Sequence, residues 1–492
     1  MAPPEYGTGN RTPNFTLEIT RLAHPDLTPI RVAPNGHYFE TVDGEPFHFI
    51  GANDALTWPG LAGLYRRKDL DSVDAYLHDL ASSGVTILRL MLEYSQTDHR
   101  FFERPAGRFN TPMVRMWDDL IARCGQFGLR ILLAPWDNFW MARRWHRHPY
   151  NRINGGPAAE PGSFFTDAAV VEATARRLRF VVERWGGSGV IAAWDLFNEI
   201  HPYWGGTPRE QAAVITRLSD AVREAEQSTW GFTRPQTVSI FGPEPDAEYE
   251  DLIFRHPSLD FATTHIYEGP INFPLDTVKP AVTMAKWIRH ARARIPHGRP
   301  FVESEHGPIH MFNDHRKMLP EPFDDEYERH LMWAHLASGG AGSGMRWPAR
   351  HPHVLTPGMK RSLAGLAAFT KQIDWRRFAP REASDELQVK TSGIIPFACR
   401  DERQAVIWLL RRRGKDDPPG PLTPRPLLRD VPVTLPGLRA GEYCVEQWDT
   451  SAGCSVGCLR TRVGEDGRLR VILPLLGNDR ALAVRPCESA HP

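Results

Sequence analysis

The chain has 492 residues, 41% hydrophobic and 24% charged, with 59 Lys+Arg against 59 Asp+Glu. This is the composition of a globular protein able to bury a sizeable core, and zero net charge argues against nucleic acid or an anionic membrane as the main partner. Six cysteines in so long a chain do not make a disulfide framework, and the pair Cys454 and Cys458 lacks nearby ligands at zinc-site spacing, so unpaired thiols and no metal are expected.

The amino terminus, MAPPEYGTGNRTPNFTLEITR, has no basic region, apolar stretch or small-residue cleavage site, which predicts a cytoplasmic protein without a secretory signal. No apolar segment approaches the length of a membrane span. Residues 1–35 read as an irregular arm leading into a probable hairpin, NGHYFETVDGEPFHF, that would cover the floor of the next domain.

From about residue 48 to 375 one pattern repeats: a short apolar run, a polar or aromatic loop, then an amphipathic helix. The strand candidates in order are FHFIGAN, VTILRLML, LRILLAPWD, VIAAWDLFNE, TVSIFG, FATTHIY, PFVESE and GSGMRWP, eight in all. Between them, Val73, Leu77 and Leu80 recur at helical spacing before Gly84, and Thr111-Pro112 is expected to open the next helix as cap and first-turn proline. Eight alternating units predict a (β/α)8 TIM barrel over residues 36–378. An open doubly wound sheet would show a Gly-rich phosphate loop after its first strand, and FIGANDALTWPG has none. Beyond it, LQVKTSGIIPFAC, QAVIWLLRR, VPVTLPG, EYCVEQWDT and RALAVRP predict a small all-β, sandwich-like domain over 379–492, with the Pro-rich run Asp416–Pro426 as a loop inside it.

Barrel catalysis is carried at the C-terminal ends of strands. The second strand carries Arg89 and the third ends on Asp137. Asn198 and Glu199 end the fourth, His265 and Tyr267 the sixth, Glu305 the seventh and Trp347 the eighth. Any one of these could be a charge-paired rim group. Together they place two carboxylates on strands four and seven, opposite across the ring, which is what cleavage of a glycosidic bond requires.

WDLFNEI resembles the Asn-Glu signature on the fourth strand of clan A glycoside hydrolases, in particular glycoside hydrolase family 5, and PFVESEHG resembles that family's seventh-strand motif. The resemblance covers the barrel. It implies Glu199 as acid/base, Glu305 as nucleophile, Asn198 as the contact to the sugar 2-hydroxyl, Arg89 as the cation that orients the nucleophile, His265 and Tyr267 as the sixth-strand His-x-Tyr, and Trp347 as a platform under the sugar. A retaining β-glycosidase without cofactor or metal is the function implied, its partner a carbohydrate. A transglycosylase, or a binding protein that has lost catalysis, are the alternatives. Where many members carry a His near the end of the third strand, this chain has Trp136-Asp137-Asn138.

The loop WDNFWMARRWHRHPYNRINGGP is long, aromatic and basic. Trp140 or Trp145 could wall the site; Arg143, Arg144, Arg147 and Arg152 read as solvated or paired with acids such as Glu160. Insertions on this face close pockets more often than they open clefts, which favours exo-action on short β-glycosides. Glu303 is the oddity. Strand alternation would place it on the face of Glu305, a layer deeper, as a buried carboxylate partnered by Arg89 or a histidine, or held protonated.

Overall fold

The computed structural model describes residues 27–93, 101–200, 205–242, 247–267, 276–307, 319–348, 353–422 and 424–487, without the side chains of residues 139 and 140. Eight parallel strands form the barrel: β1 (Phe49–Asp54), β2 (Ile87–Met91), β3 (Arg130–Ala134), β4 (Ile191–Asp195), β5 (Gln236–Thr237), β6 (Ala262–Ile266), β7 (Phe301–His306) and β8 (Gly342–Arg346). They lie in the order β5-β4-β3-β2-β1-β8-β7-β6. A parallel bridge between Phe241 and His265 closes the ring from β5 to β6. The fifth strand is shorter than TVSIFG suggested. Beyond Thr237 the regular ladder gives way to separate bonds, from the Ser239 N–H to the Phe197 carbonyl (3.1 Å) and from the Ile200 N–H to the Ser239 carbonyl (2.8 Å), and Ser239 also bonds the Asp195 side chain of β4.

The described α-helices are α1 (Leu70–Ser82), α2 (Thr111–Gln126), α3 (Asn138–Arg143), α4 (Ala168–Trp185), α5 (Pro208–Trp230), α6 (Ala247–Phe254), α7 (Val278–Arg294), α8 (Glu321–Ala337) and α9 (Pro357–Thr370), and several begin where polar side chains can satisfy their free N–H groups. Helix α1 (Leu70–Ser82) is capped by Asp69, which accepts from the Ser72 N–H at 3.1 Å, and it buries Val73, Leu77 and Leu80 against the barrel. In α2 (Thr111–Gln126) Asn110, not Thr111, occupies the cap position, with Pro112 in the first turn. The Asn110 amide is used elsewhere, donating to the Phe101 carbonyl at 3.1 Å. Residues 143, 147 and 152 of the loop after β3 are exposed.

The span read as an irregular arm contains a strand, Ile30–Val32, too short and too closely flanked by prolines to show periodicity. It pairs with Phe39–Thr41, which pairs with Pro46–Phe47. This small sheet lays Phe39 on Phe49 (ring centroids 4.4 Å apart) and against Phe261 (5.3 Å), and so plugs the N-terminal end of the barrel. Apolar material there leaves the opposite end for chemistry.

After α9 (Pro357–Thr370) the chain forms two antiparallel sheets, of six and three strands. The six-stranded sheet alternates strictly. Ile407, Leu409, Leu482 and Val484 face the three-stranded sheet, while Val406, Trp408, Ala481 and Ala483 belong to the barrel's own core. The partner on the barrel side is α8 (Glu321–Ala337), whose residues 327–337 are all buried because β-sheet covers one side and the barrel the other. No described helix is long and apolar enough to cross a membrane.

Candidate active site

Arg89, on β2, is fully buried and organises the C-terminal mouth of the barrel. Its guanidinium donates to Asp195 Oδ2 (2.7 Å), Glu305 Oε2 (2.6 Å), Asn53 Oδ1 (2.9 Å) and Asn198 Oδ1 (2.5 Å). One cation thus ties strands β1, β4 and β7 together. An unpaired arginine here would cost several kcal/mol, and two carboxylates settle that cost.

Asp195 and Ser239 are functional positions that the sequence reading did not single out. Ser239 donates its hydroxyl to Asp195 Oδ2 (3.0 Å) and its N–H to Asp195 Oδ1 (3.1 Å), and its Oγ in turn accepts the Glu199 N–H at 3.0 Å. Glu199 has φ of 53°, in the left-handed region that a side chain with a Cβ rarely enters. Such a residue costs about 1–3 kcal/mol and persists only where its surroundings fix it. Here the fixing is done by Ser239 on one side and by the parallel bridge between Asp137 and Asn198 on the other. The available signal for Asp195 was a polar residue inside the apolar run VIAAWDLF, four residues before Glu199.

Most of the sequence-derived candidates converge. His265 Nδ1 lies 2.8 Å from Glu199 Oε1 and 3.7 Å from Glu305 Oε2. The Tyr267 hydroxyl donates to Glu305 Oε1. Asn198 Nδ2 donates to Asp137 Oδ1 at 3.1 Å, so the Asn198 amide is oriented from both ends. Trp347 sits just past β8, buried and edge-on to Trp58 at 4.9 Å, with its backbone N–H on the His306 carbonyl. The ring of Phe241, 40% exposed, stacks on Tyr267 at 5.7 Å, which adds an aromatic face to the rim.

Two loop candidates fare differently. Trp145 is half-buried and stacked on His148 at 5.9 Å, part of the loop's own packing, and the Trp140 side chain lies outside the described residues. Trp136 is likewise a packing residue, at 4.7 Å from Tyr150 and 4.5 Å from Phe164, with Arg177 over its ring.

Glu303 requires a correction. The β6–β7 register shifts between Glu303 and Glu305, a bulge at Ser304, so alternation fails there. The Ser304 hydroxyl meets Thr263, and Glu305 meets Arg89 in the barrel mouth. Glu303 instead joins His306 (2.6 Å), whose other nitrogen meets Glu328 of α8 at 3.1 Å. Its partner is a histidine and not Arg89.

Burial raises both barrel-mouth carboxyls. It pushes Glu199 to about 7, against the pull of Arg89 and with the help of Asp195. Glu305 is also raised by burial, opposed by His265, raised by Glu199, and then drawn down by Arg89 and the Tyr267 hydrogen bond. Since the guanidinium sits directly on Glu305, this is the member of the pair that ionises first. His265 is pushed by burial down to about 4 and is neutral at pH 7. One atom from each of Glu199, His265 and Glu305 lies within 4.8 Å of the other two.

No family model matches the chain. Mannan endo-1,4-beta-mannosidase A of Podospora anserina is 27% identical over 293 residues, 54% of this chain and 71% of that protein. The enzyme of the same name from Aspergillus aculeatus is 23% identical over 325 residues, 60% and 76% of the two chains. The crystal structure of a glycoside hydrolase family 5 protein from Bacteroides vulgatus superposes with a TM-score of 0.56 at 12% identity, over 94% of this chain and 95% of that one, a likeness of fold. With this barrel, this polar mouth and these relatives, the chain is a glycoside hydrolase resembling family 5 of clan A.

Proposed function

We propose that the chain is a retaining β-glycosidase acting on β-mannosides, with Glu305 as nucleophile and Glu199 as acid/base. The observation that carries this reading is the approach of the two carboxyl groups, with one oxygen of each within 4.8 Å. Retaining pairs stand about 5–5.5 Å apart, whereas an inverting pair needs about 6.5–9.5 Å to admit a water between them.

In the first step Glu305, ionised beside Arg89, attacks the anomeric carbon while protonated Glu199 gives its proton to the departing oxygen. The products are a glycosyl ester on Glu305 and a free alcohol. Esterification removes the charge of Glu305, so Glu199 becomes more acidic and can take a proton from water. That water attacks the same carbon, expels Glu305 as carboxylate and releases the sugar with its β configuration kept. Neutral His265 holds the Glu199 carboxyl in either protonation state, because its Nδ1 can donate or accept. Asn198 presents its amide toward the 2-hydroxyl, and Trp347 with Tyr267 walls the sugar.

Mannose as the sugar is supported by the names of the relatives. Exo-action on short β-glycosides is the reading that the long loop after β3 favours, with Trp136 packed on Tyr150 at 4.7 Å and on Phe164 at 4.5 Å, while the relatives bear the names of endo-acting enzymes. A panel of aryl β-mannosides, β-glucosides, β-galactosides and β-glucuronides, with the first-formed anomer followed by proton NMR, tests the proposal. Turnover of the mannoside with β-product first is expected. An α-anomer appearing first would overturn the retaining mechanism, and activity confined to another sugar would overturn the specificity.

A further inference from the structure

The helix side of the strand that carries Glu305 holds a chain of buried ions. Asp324 of α8 pairs with Arg346 of β8 (2.5 Å), Arg346 with Glu328 of α8 (3.4 Å), Glu328 with His306 of β7 (3.1 Å) and His306 with Glu303 (2.6 Å). All five side chains are 0–1% exposed. Between its two carboxylates His306 is a cation, raised to about 9 despite its burial. The series alternates in sign from end to end. Buried ion chains of this kind contribute little net stability, and in some proteins they specify one conformation.

The conformation specified here is visible at the chain's last link. Glu303 Oε1 accepts the backbone N–H of Glu305 at 2.7 Å, across the bulge that separates the two residues. The other oxygen is fixed by His306, and the Glu303 N–H is bonded to His335 Nε2 of α8 at 3.1 Å. Asn53 of β1 secures the bulge from the barrel side, donating to the Ser304 carbonyl at 3.0 Å. Space for the carboxylate is made by Gly344, at φ 71°, where a Cβ would lie 2.8 Å from Glu303 Oε2. Bulges beside active sites re-aim side chains. Without this one, regular alternation would put Glu303 and Glu305 on a common face and His306 on the other.

We propose that Glu303 is a positioning residue for Glu305: pinned by His306, its carboxylate holds the bulge that turns Glu305 toward Arg89 and the sugar. This inference rests on the reading of Glu305 as nucleophile. Its effect falls on the attack geometry and hence on the rate of ester formation, while sugar binding stays nearly unchanged.

The test is the inactivation of wild type, Glu303→Gln and Glu303→Met by 2,4-dinitrophenyl 2-deoxy-2-fluoro-β-D-mannoside, followed by mass spectrometry. The amount of labelled protein counts folded sites and the rate constant reports their competence, so loss of fold and loss of positioning are read separately. Glu303→Gln keeps an acceptor oxygen but not the ion pair, and should label about tenfold more slowly per site; Glu303→Met should label at least about a hundredfold more slowly, with the half-saturating concentration within about threefold of wild type. A wild-type rate constant per labelled site in Glu303→Gln would overturn the proposal, whatever the yield of Glu303→Met. A label on a residue other than Glu305 in wild type would instead overturn the assignment of the nucleophile.

Discussion

The protonation state of Glu199 offers a quantitative prediction. Its carboxyl is raised from 4.5 to about 7, chiefly by burial. At 1.36 kcal/mol per pH unit this is roughly 3 kcal/mol, held in the folded protein as a preference for the neutral acid. Two consequences follow, of opposite experimental kind. For catalysis, the free enzyme must carry the proton on Glu199 and have released it from Glu305, so kcat/KM for an aryl β-mannoside should rise through an acid limb as Glu305 ionises, hold a plateau to about pH 7 and then fall about tenfold per pH unit, reaching roughly one-tenth of its plateau near pH 8. For stability, the native state binds a proton that the unfolded chain has released between pH 4.5 and about 7, so the contribution of this group is fully present below 4.5 and is lost as pH rises through that window. Glu199→Gln removes both effects: with a dinitrophenyl leaving group, which needs no proton, its alkaline limb should vanish, and its stability should fall less than that of wild type from pH 4.5 to 7. An alkaline limb at the same position in Glu199→Gln, or a wild-type plateau extending beyond about pH 9, would refute the assignment of the acid.

Three substitutions probe the supporting structure. Glu305→Ala should lose turnover and recover it with azide, releasing an α-glycosyl azide, which product NMR would identify. Arg89→Met leaves Asp195 and Glu305 buried without their cation, so denaturant unfolding should register a loss of about 3–5 kcal/mol, and kcat should fall at any temperature where the variant remains folded. Ser239→Ala removes the acceptor for the Glu199 N–H and a donor to Asp195; a loss of about 1–3 kcal/mol by the same measurement is expected, with kcat reduced because the left-handed Glu199 backbone is less firmly held.

Much of this molecule was legible before its structure was. Eight apolar runs separated by amphipathic helices translate into eight barrel strands because a parallel sheet buried on both faces writes itself as short apolar segments. Polar residues that interrupt their C-terminal ends then stand out, as Arg89, Glu199, His265 and Glu305 did. Contacts across the ring are less legible. Asp195 lies on β4 and Ser239 just past β5, and only the fold of the barrel shows that one serves Arg89 and the other the backbone of Glu199. The strand β5 ends at Thr237, and beyond it Ser239 divides its N–H between the Phe197 carbonyl and the Asp195 side chain, an arrangement that TVSIFG does not display. Local rules misplace Glu303 for a similar reason: nothing in ESEH marks a bulge, and the groups that stabilise it, Asn53, Gly344 and Glu328, come from three other elements of the chain.

Covalent attachment of the sugar to Glu305 is open to peptide mapping after inactivation of the wild-type protein with 2,4-dinitrophenyl 2-deoxy-2-fluoro-β-D-mannoside. One fluoromannosyl group per chain is expected, on Glu305, released when an acceptor sugar is added. A label on Glu199, or turnover of mannosides by a protein that forms no covalent adduct, would contradict it.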